Sequence, residues 1–435
     1  MNRPGILADQ GFLLLWSGNA ASLVGSYGVR VAYPLLALSV TGSPTLAGWV
    51  GFAIAVPSLI FQIPAGIAAD YWDRRRVLLL CQLAGLVATS LAALVIVLDL
   101  PNPGLLLMVT AFIEGTAYVF FGLSELGAIR DIVAPEHRTA AFSFFETEQP
   151  IANVVGRALG AACYGAARWL PFAANAASYL FCLTTLSVIR GDFTPRRADA
   201  DRTGGAGRPL VSEGARVVWT EPFLRASTLI SGMSNMVIQV VILLLILEIE
   251  STGRPVWTVG VVLGAAGAGG ILGSFAASRL TGRHSAQRVY RGSLWAWTAL
   301  LLPIALSSDP VVLGGAWFGI GAVGTVVNVA LTTFRVEIIP EDTLGRAVGA
   351  VAVVTDGAVA LGAVLAGFLL SAFGTTVTGW MLLCAMLLLA IAGSSTWARR
   401  GPPPPGPPPR PGAAARRRAP PARLIFRRSG RRRRG

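Results

Sequence analysis

Lysine is missing altogether: every one of the 36 basic residues is arginine, set against 22 acids and two histidines. Charged residues make up 13% of the chain, roughly half the share of a soluble globular protein. So little charge cannot cover a water-facing surface, and much of the exterior has to face lipid. The four cysteines, Cys81, Cys163, Cys182 and Cys384, all fall inside apolar runs without paired spacing or companion ligands. They read as small buried hydrophobes, which argues against a disulfide framework or a thiolate metal site. The histidines, His137 and His284, lie in separate polar loops, so a membrane enzyme has no clustered constellation to work with. No Gly-rich loop leads into Lys-Ser/Thr, which removes nucleotide drive, and neither a cofactor nor a metal is expected.

What the chain has in plenty is hydrophobic residues, 54% of the total, with a mean hydropathy of +0.62. The net charge of +14 suggests a nucleic-acid partner until it is located. Thirteen arginines lie between Arg399 and Arg434, where no acid occurs, and the remaining 23 nearly balance the 22 acids. Basicity belongs to an appendage, and no nucleic-acid partner is expected.

A bilayer core takes about 20 apolar residues per helix. On that ruler there are twelve spans: 12–40, 45–68, 77–98, 104–129, 140–165 and 168–189, then 222–248, 256–280, 289–308, 310–334, 345–372 and 375–397. A linker rich in Arg, Asp, Gly and Pro separates the two sets. The expected organisation is a six-helix bundle at 1–190, a cytoplasmic linker at 191–221, a second bundle at 222–398 and a disordered Pro/Arg-rich tail at 399–435.

Arginine fixes the orientation, because cytoplasmic loops hold the excess positive charge. Arg74, Arg75 and Arg76, then Arg130 and Arg138, fall in alternate loops; Arg279, Arg283 and Arg288, then Arg335 and Arg346, repeat the pattern. The opposite loops carry only Arg168 and Arg254. Both termini and the linker are therefore expected in the cytoplasm, at the cell membrane of a bacterium. The halves also echo each other: Arg130, Pro135 and Glu136 match Arg335, Pro340 and Glu341. A parallel repeat of two six-helix bundles is a recurrent transporter plan.

One loop carries a family signature. Gly66-Ile-Ala-Ala-Asp70-Tyr-Trp-Asp73-Arg74-Arg75-Arg76 joins spans two and three and resembles the loop motif of the major facilitator superfamily. Leu15-Trp16-Ser17-Gly18-Asn19, Pro64-Ala-Gly-Ile-Ala-Ala-Asp70 and Asn175-Ala-Ala-Ser-Tyr179 are similar to its drug- and siderophore-efflux branch, related to enterobactin exporters and macrolide efflux proteins. The resemblance implies an all-α integral membrane fold, with twelve helices as two bundles related by pseudo-two-fold symmetry. It also implies a cytoplasmic latch of Gly66, Asp70, Asp73, Arg74, Arg75 and Arg76, with Gly66 allowing close helix approach. Departures from the branch include Arg157 in place of a proline in span five and Ser26 where relatives carry an aspartate.

Ionisable residues inside the membrane are functional candidates by default. Arg30, Glu114 and Arg157 fall at one depth on spans one, four and five, so Glu114 is expected to pair with one or both arginines. The arginines are then candidate ligands for an acidic substrate, and Asp356, alone in span eleven, is a candidate proton-coupling carboxylate. Glu146 and Glu148 are read as interfacial. Asn19, Asn235, Gln239 and Asn328 are candidate polar groups of a cavity. The Gly264 to Gly273 run reads as a tight helix contact.

The expected activity is export of small hydrophobic or amphipathic molecules, such as a drug, antibiotic or siderophore, by proton antiport and alternating access in a monomer. Import of a small anionic solute and a non-transporting membrane sensor are the alternatives. Anionic lipid at the Arg-rich tail is a further expected partner.

Overall fold

The computed structural model describes residues 9–189, 216–339 and 341–398. Most of the linker, Pro340 and the 399–435 tail lie outside the described residues, as do the side chains of Glu146, Glu341 and Arg346.

Eleven long helices run α1 (Gln10–Thr41), α2 (Pro44–Tyr71), α3 (Arg74–Val97), α4 (Pro103–Ile132), α5 (Arg138–Ala166), α6 (Leu170–Val188), α7 (Pro222–Ser251), α8 (Trp257–Arg283), α9 (Ala286–Leu306), α10 (Pro310–Ile338) and Glu341–Ala398. The last is two helices, because Gly374 has φ 70° and ψ −177° and breaks it into α11 (341–373) and α12 (375–398). Only glycine adopts that backbone at no steric cost. Among the described residues this makes twelve helices, which fall on the twelve expected spans; nine helical stretches, with α11 and α12 counted together, are long and apolar enough to cross a membrane.

Their starts follow a local grammar of a polar cap followed by proline. Ser43 accepts from the Leu46 amide at 3.3 Å, Glu221 from Leu224 at 2.5 Å and Asp309 from Val311 at 2.7 Å. In each case proline stands next, at the first helical position, where its missing N–H costs nothing. The outer faces are apolar: Phe275 is 65% exposed and Leu388 66%. Side chains of that size, exposed along many helices, make a surface suited to lipid.

Helices α1–α6 form one bundle and α7–α12 the other. In the first, α1 crosses α5 so closely that a Cβ on Gly160 would fall 2.4 Å from the Gly28 Cα. The same crossing recurs six helices on, where Gly362 of α11 lies against the Met236 backbone of α7. Likewise Thr89 of α3 donates to the Phe172 carbonyl of α6 at 3.2 Å, and Trp295 of α9 donates to Ser394 of α12 at 3.1 Å. The internal repeat read from a few residues is thus carried by the packing.

Several contacts between the bundles lie toward one end of the helices that make them. Gly48, near the start of α2, faces Ala363 and Gly367 of α11, and Gly260 of α8 faces Arg157 and Ala161 of α5. The Gly264 to Gly273 run of α8 serves two contacts. Gly264 and Gly267 lie against Val154 of α5, while Gly269 and Gly273 lie against Phe318 and Ala322 of α10. These contacts gather toward the ends that carry Arg168 and Arg254, away from the arginine-rich loops.

Candidate functional site

A cavity of about 420 Å³ opens between the bundles. Its walls come mainly from α1 to α6, including Asn19, Ser26, Gln82, Tyr118 and Tyr179; Asp356 of α11 faces it from the second bundle. Asp356 is half-buried. Of the four amides expected at a cavity, Asn19 is in its wall. Asn235 and Gln239 are half-buried on α7, Asn328 is exposed on α10, and none of these three lines this space.

Glu114 is 2% exposed at the heart of the first bundle. One of its oxygens, Oε1, collects three donors. Tyr179 donates through a very short hydrogen bond, Asn175 donates at 3.1 Å, and Ser26 donates at 3.5 Å. The Ser26 and Tyr179 hydroxyls are themselves 3.0 Å apart. Asn175 also reaches Thr89 at 3.4 Å, so three helices besides α4 hold the network together: α1, α3 and α6. Ser26, standing where an aspartate was the expected residue, gives Glu114 a hydrogen-bond donor rather than a second negative charge. The other oxygen, Oε2, has no partner among the described residues.

This corrects the expected ion pair. No contact within 4 Å joins Glu114 to Arg30 or Arg157 among the described residues. Arg30 instead lies over the Tyr118 ring, 4.6 Å from its centroid, an arrangement that satisfies a guanidinium through the ring face. The two arginines do fall within electrostatic reach of each other and of Tyr27, and Glu114 within reach of Arg30. A shared depth does not make a contact: at 100° per residue, rotation about the helix axis decides which side chains touch.

Two further carboxyls were missed. Glu125 of α4 is 8% exposed, lines the cavity and has one oxygen without a partner among the described residues. Glu148 of α5, expected at the interface, is 5% exposed, and neither of its oxygens has a hydrogen-bond partner among the described residues. Asn19 stands beside it, and the two glutamates are within electrostatic reach of each other. Helical spacing was an available signal: Glu114 and Glu125 lie eleven residues apart, about three turns on one face. Asn175 and Tyr179, a polar pair one turn apart in an apolar helix, carried another.

The arginine loop is built differently from its expectation. Asp73 caps α3 through the amides of Arg75 and Arg76, at 3.0 and 3.4 Å, and the Arg76 guanidinium lies 3.4 Å from Asp73. Arg74 folds inward to pair with Asp131 at the end of α4, at 2.6 Å, and to donate to the Ala69 carbonyl at 3.0 Å. Arg75 donates to the Ser187 carbonyl of α6 at 2.6 Å. Asp70 is exposed at the end of α2, and Gly66 has nothing within 4 Å of where its Cβ would be. The close helix approach expected at Gly66 is therefore not made; the loop ties α2 and α3 to α4 and α6 through arginine.

Two bundles of six helices with matching internal crossings, around a cavity that both bundles face, define an integral membrane transporter rather than an enzyme. The chain belongs to the Major Facilitator Superfamily, whose family model matches residues 15–283 and 226–432. It is 28% identical over 385 residues to the multidrug efflux pump Tap of Mycolicibacterium fortuitum, which covers 83% of this chain and 89% of that protein. Among solved structures it superposes on the nucleoside transporter NupG with a TM-score of 0.70 at 15% identity, over 92% of this chain and 100% of that one. A bacterial homologue of the iron transporter ferroportin, in an inward-facing state, gives a TM-score of 0.69 at 16% identity, over 91% of this chain and 100% of that one. Identities so low speak for the fold alone. The protein is a multi-pass membrane transporter of the superfamily, acting on a small-molecule substrate.

Proposed function

We propose that this transporter exports small hydrophobic or amphipathic molecules, of the drug, antibiotic or siderophore kind, from a bacterial cell by proton antiport. It works as a monomer in the cell membrane with both termini cytoplasmic, and the bundles 1–190 and 222–398 rock against each other. The observation that carries this reading is the cavity. It is walled by aromatic and polar side chains of the first bundle, and the Asp356 carboxylate meets it from the second. With the arginine-rich loops inside, the contacts of Gly48 with α11 and of Gly260 with α5 close the outer end. The cavity then opens to the cytoplasm, the state in which an exporter loads. Similarity to a multidrug efflux pump supports the direction.

Asp356 and Glu114 are the coupling carboxylates in this reading. Each crossing brings a proton inward as substrate leaves. The arginine loop acts as the latch: Asp70, exposed while the bundles are apart at that end, gains partners when they close over it. Energised transport in inverted vesicles tests this with a panel of lipophilic cations and acidic natural products. Accumulation should collapse with a protonophore and be lost in Asp356→Asn or Glu114→Gln. Uptake confined to right-side-out vesicles would overturn export. It would favour import of a small anion, for which Arg30 and Arg157, close together near the cavity wall residue Tyr118, would be the ligands.

A further inference from the structure

Glu114 and Asp356 leave two buried carboxyls without a role. Glu125 and Glu148 are 8% and 5% exposed, within electrostatic reach of each other, and three of their four oxygens have no donor among the described residues. Elsewhere in this bundle buried charge finds partners: one oxygen of Glu114 gathers three donors and Arg74 has Asp131. Two carboxylates side by side in a low-dielectric interior repel, and each has given up its hydration. Positive charge delivered to the pair relieves both costs, and among the described residues no arginine is paired with either.

The surroundings specify the carrier of that charge. Glu125 opens on the 420 Å³ cavity, which has room for an organic molecule. Phe121, one turn before Glu125, and Phe145, one turn before Glu148, both line that cavity. Behind them Trp16 of α1 meets Phe144 of α5 edge to face at 5.9 Å. Aromatic faces beside carboxylates attract organic cations. Among the described residues no group of three or more His, Cys, Asp or Glu could hold a metal ion.

We propose that Glu125 and Glu148, with the Asn19 amide beside them, form a cation subsite that takes the positively charged head of an organic substrate lying in the cavity. The pair neutralises the head, Asn19 offers its carbonyl as a further acceptor, and the hydrophobic body of the substrate rests on Phe121 and Phe145. The inference deepens the transport reading and rests on it for the identity of the cavity's occupant.

The test measures equilibrium binding of radiolabelled tetraphenylphosphonium to the purified full-length protein in lipid nanodiscs. Glu125→Gln and Glu148→Gln are each expected to weaken binding by at least tenfold, and the double variant to abolish it. Equal binding by wild type and double variant, or no binding by wild type, overturns the subsite. Should the glutamine variants not yield monodisperse protein, the wild type answers alone. Dicyclohexylcarbodiimide, which adds to protonated carboxyls in apolar surroundings, should label Glu125 or Glu148, as read by mass spectrometry, and tetraphenylphosphonium should protect them. Labelling that the phosphonium leaves unchanged assigns the pair to protons alone and overturns the organic-cation subsite. Vesicles keep the two readings separable: a double variant that moves the cation as wild type does refutes the subsite and leaves transport standing. A wild type that moves no compound in either direction refutes transport, while the binding result still decides the subsite.

Discussion

The two bundles share a fold and differ in what they bury. Among the described residues, every fully buried amide or charged side chain lies in the first: Asn19, Arg74, Gln82, Glu114, Glu125, Glu148 and Asn175. Among the described residues the second buries hydroxyls instead, among them those of Ser227, Ser234, Ser293, Thr298 and Tyr290. Several of these bond back within their own helix, as Ser293 does to Val289 at 3.0 Å and Thr298 to Leu294 at 2.9 Å. The two halves thus divide the labour. One half concentrates the polar chemistry, where hydrogen bonds between helices hold Gln82, Glu114 and Asn175, and from the other the Asp356 side chain faces the cavity.

The largest effect that would test this division is at the loop. Arg74→Ala leaves Asp131 without its cation in a site where the two side chains are only 11% and 16% exposed. Breaking a buried pair from one side costs about 3–5 kcal/mol, whereas Arg283→Ala, at an exposed position on the second bundle's matching loop, should stay within about 0.5 kcal/mol. Thermal unfolding in detergent reads both. Equal losses would mean that the two loops brace their bundles alike.

Glu114→Leu comes next. It strands the donors of Tyr179, Asn175 and Ser26 in the bundle interior, at about 1–3 kcal/mol for buried groups left unsatisfied. Glu114→Gln keeps an oxygen for them and should recover most of that stability while still failing in transport. A glutamine variant as unstable as the leucine one would show that the charge, not the acceptor, holds the network.

How much of this was legible in the sequence depends on the direction being read. Position along the membrane normal was accessible, because a span is about 20 apolar residues and arginine marks its inner end. Even the one-residue hinge at Gly374 falls between the eleventh and twelfth expected spans. Position around the helix was not. Glu114, Arg30 and Arg157 were expected at one depth, yet Glu114 turns to α6 and Arg30 to Tyr118. Azimuth is set by which neighbour a helix packs against, and that follows from close crossings such as Gly28 on Gly160, which no local pattern announces. Glu148 failed for a related reason. Near the start of a long helix it looked interfacial, but α5 begins ten residues earlier, at Arg138, and has turned Glu148 into the bundle.

The smallest expected effect sharpens the comparison most, since it sets one tyrosine against another. Tyr179 and Tyr290 are both almost fully buried, and each ties two helices through its hydroxyl. Tyr290 shares a 2.8 Å hydrogen bond with Ser231 and donates to the Ser227 carbonyl of α7 at 3.2 Å. Both partners are neutral, and a neutral hydrogen bond between membrane helices is worth about 0.6 kcal/mol. Tyr290→Phe should therefore lower the unfolding temperature only slightly and leave transport unchanged. Tyr179 donates to a carboxyl, and hydrogen bonds to charged groups contribute about 1.5–3 kcal/mol. Tyr179→Phe should cost several times more and also slow transport, because Glu114 would keep only Asn175 and Ser26. If the two substitutions cost the same, Glu114 is an uncharged acceptor in the resting protein, and the coupling role assigned to it passes to Asp356.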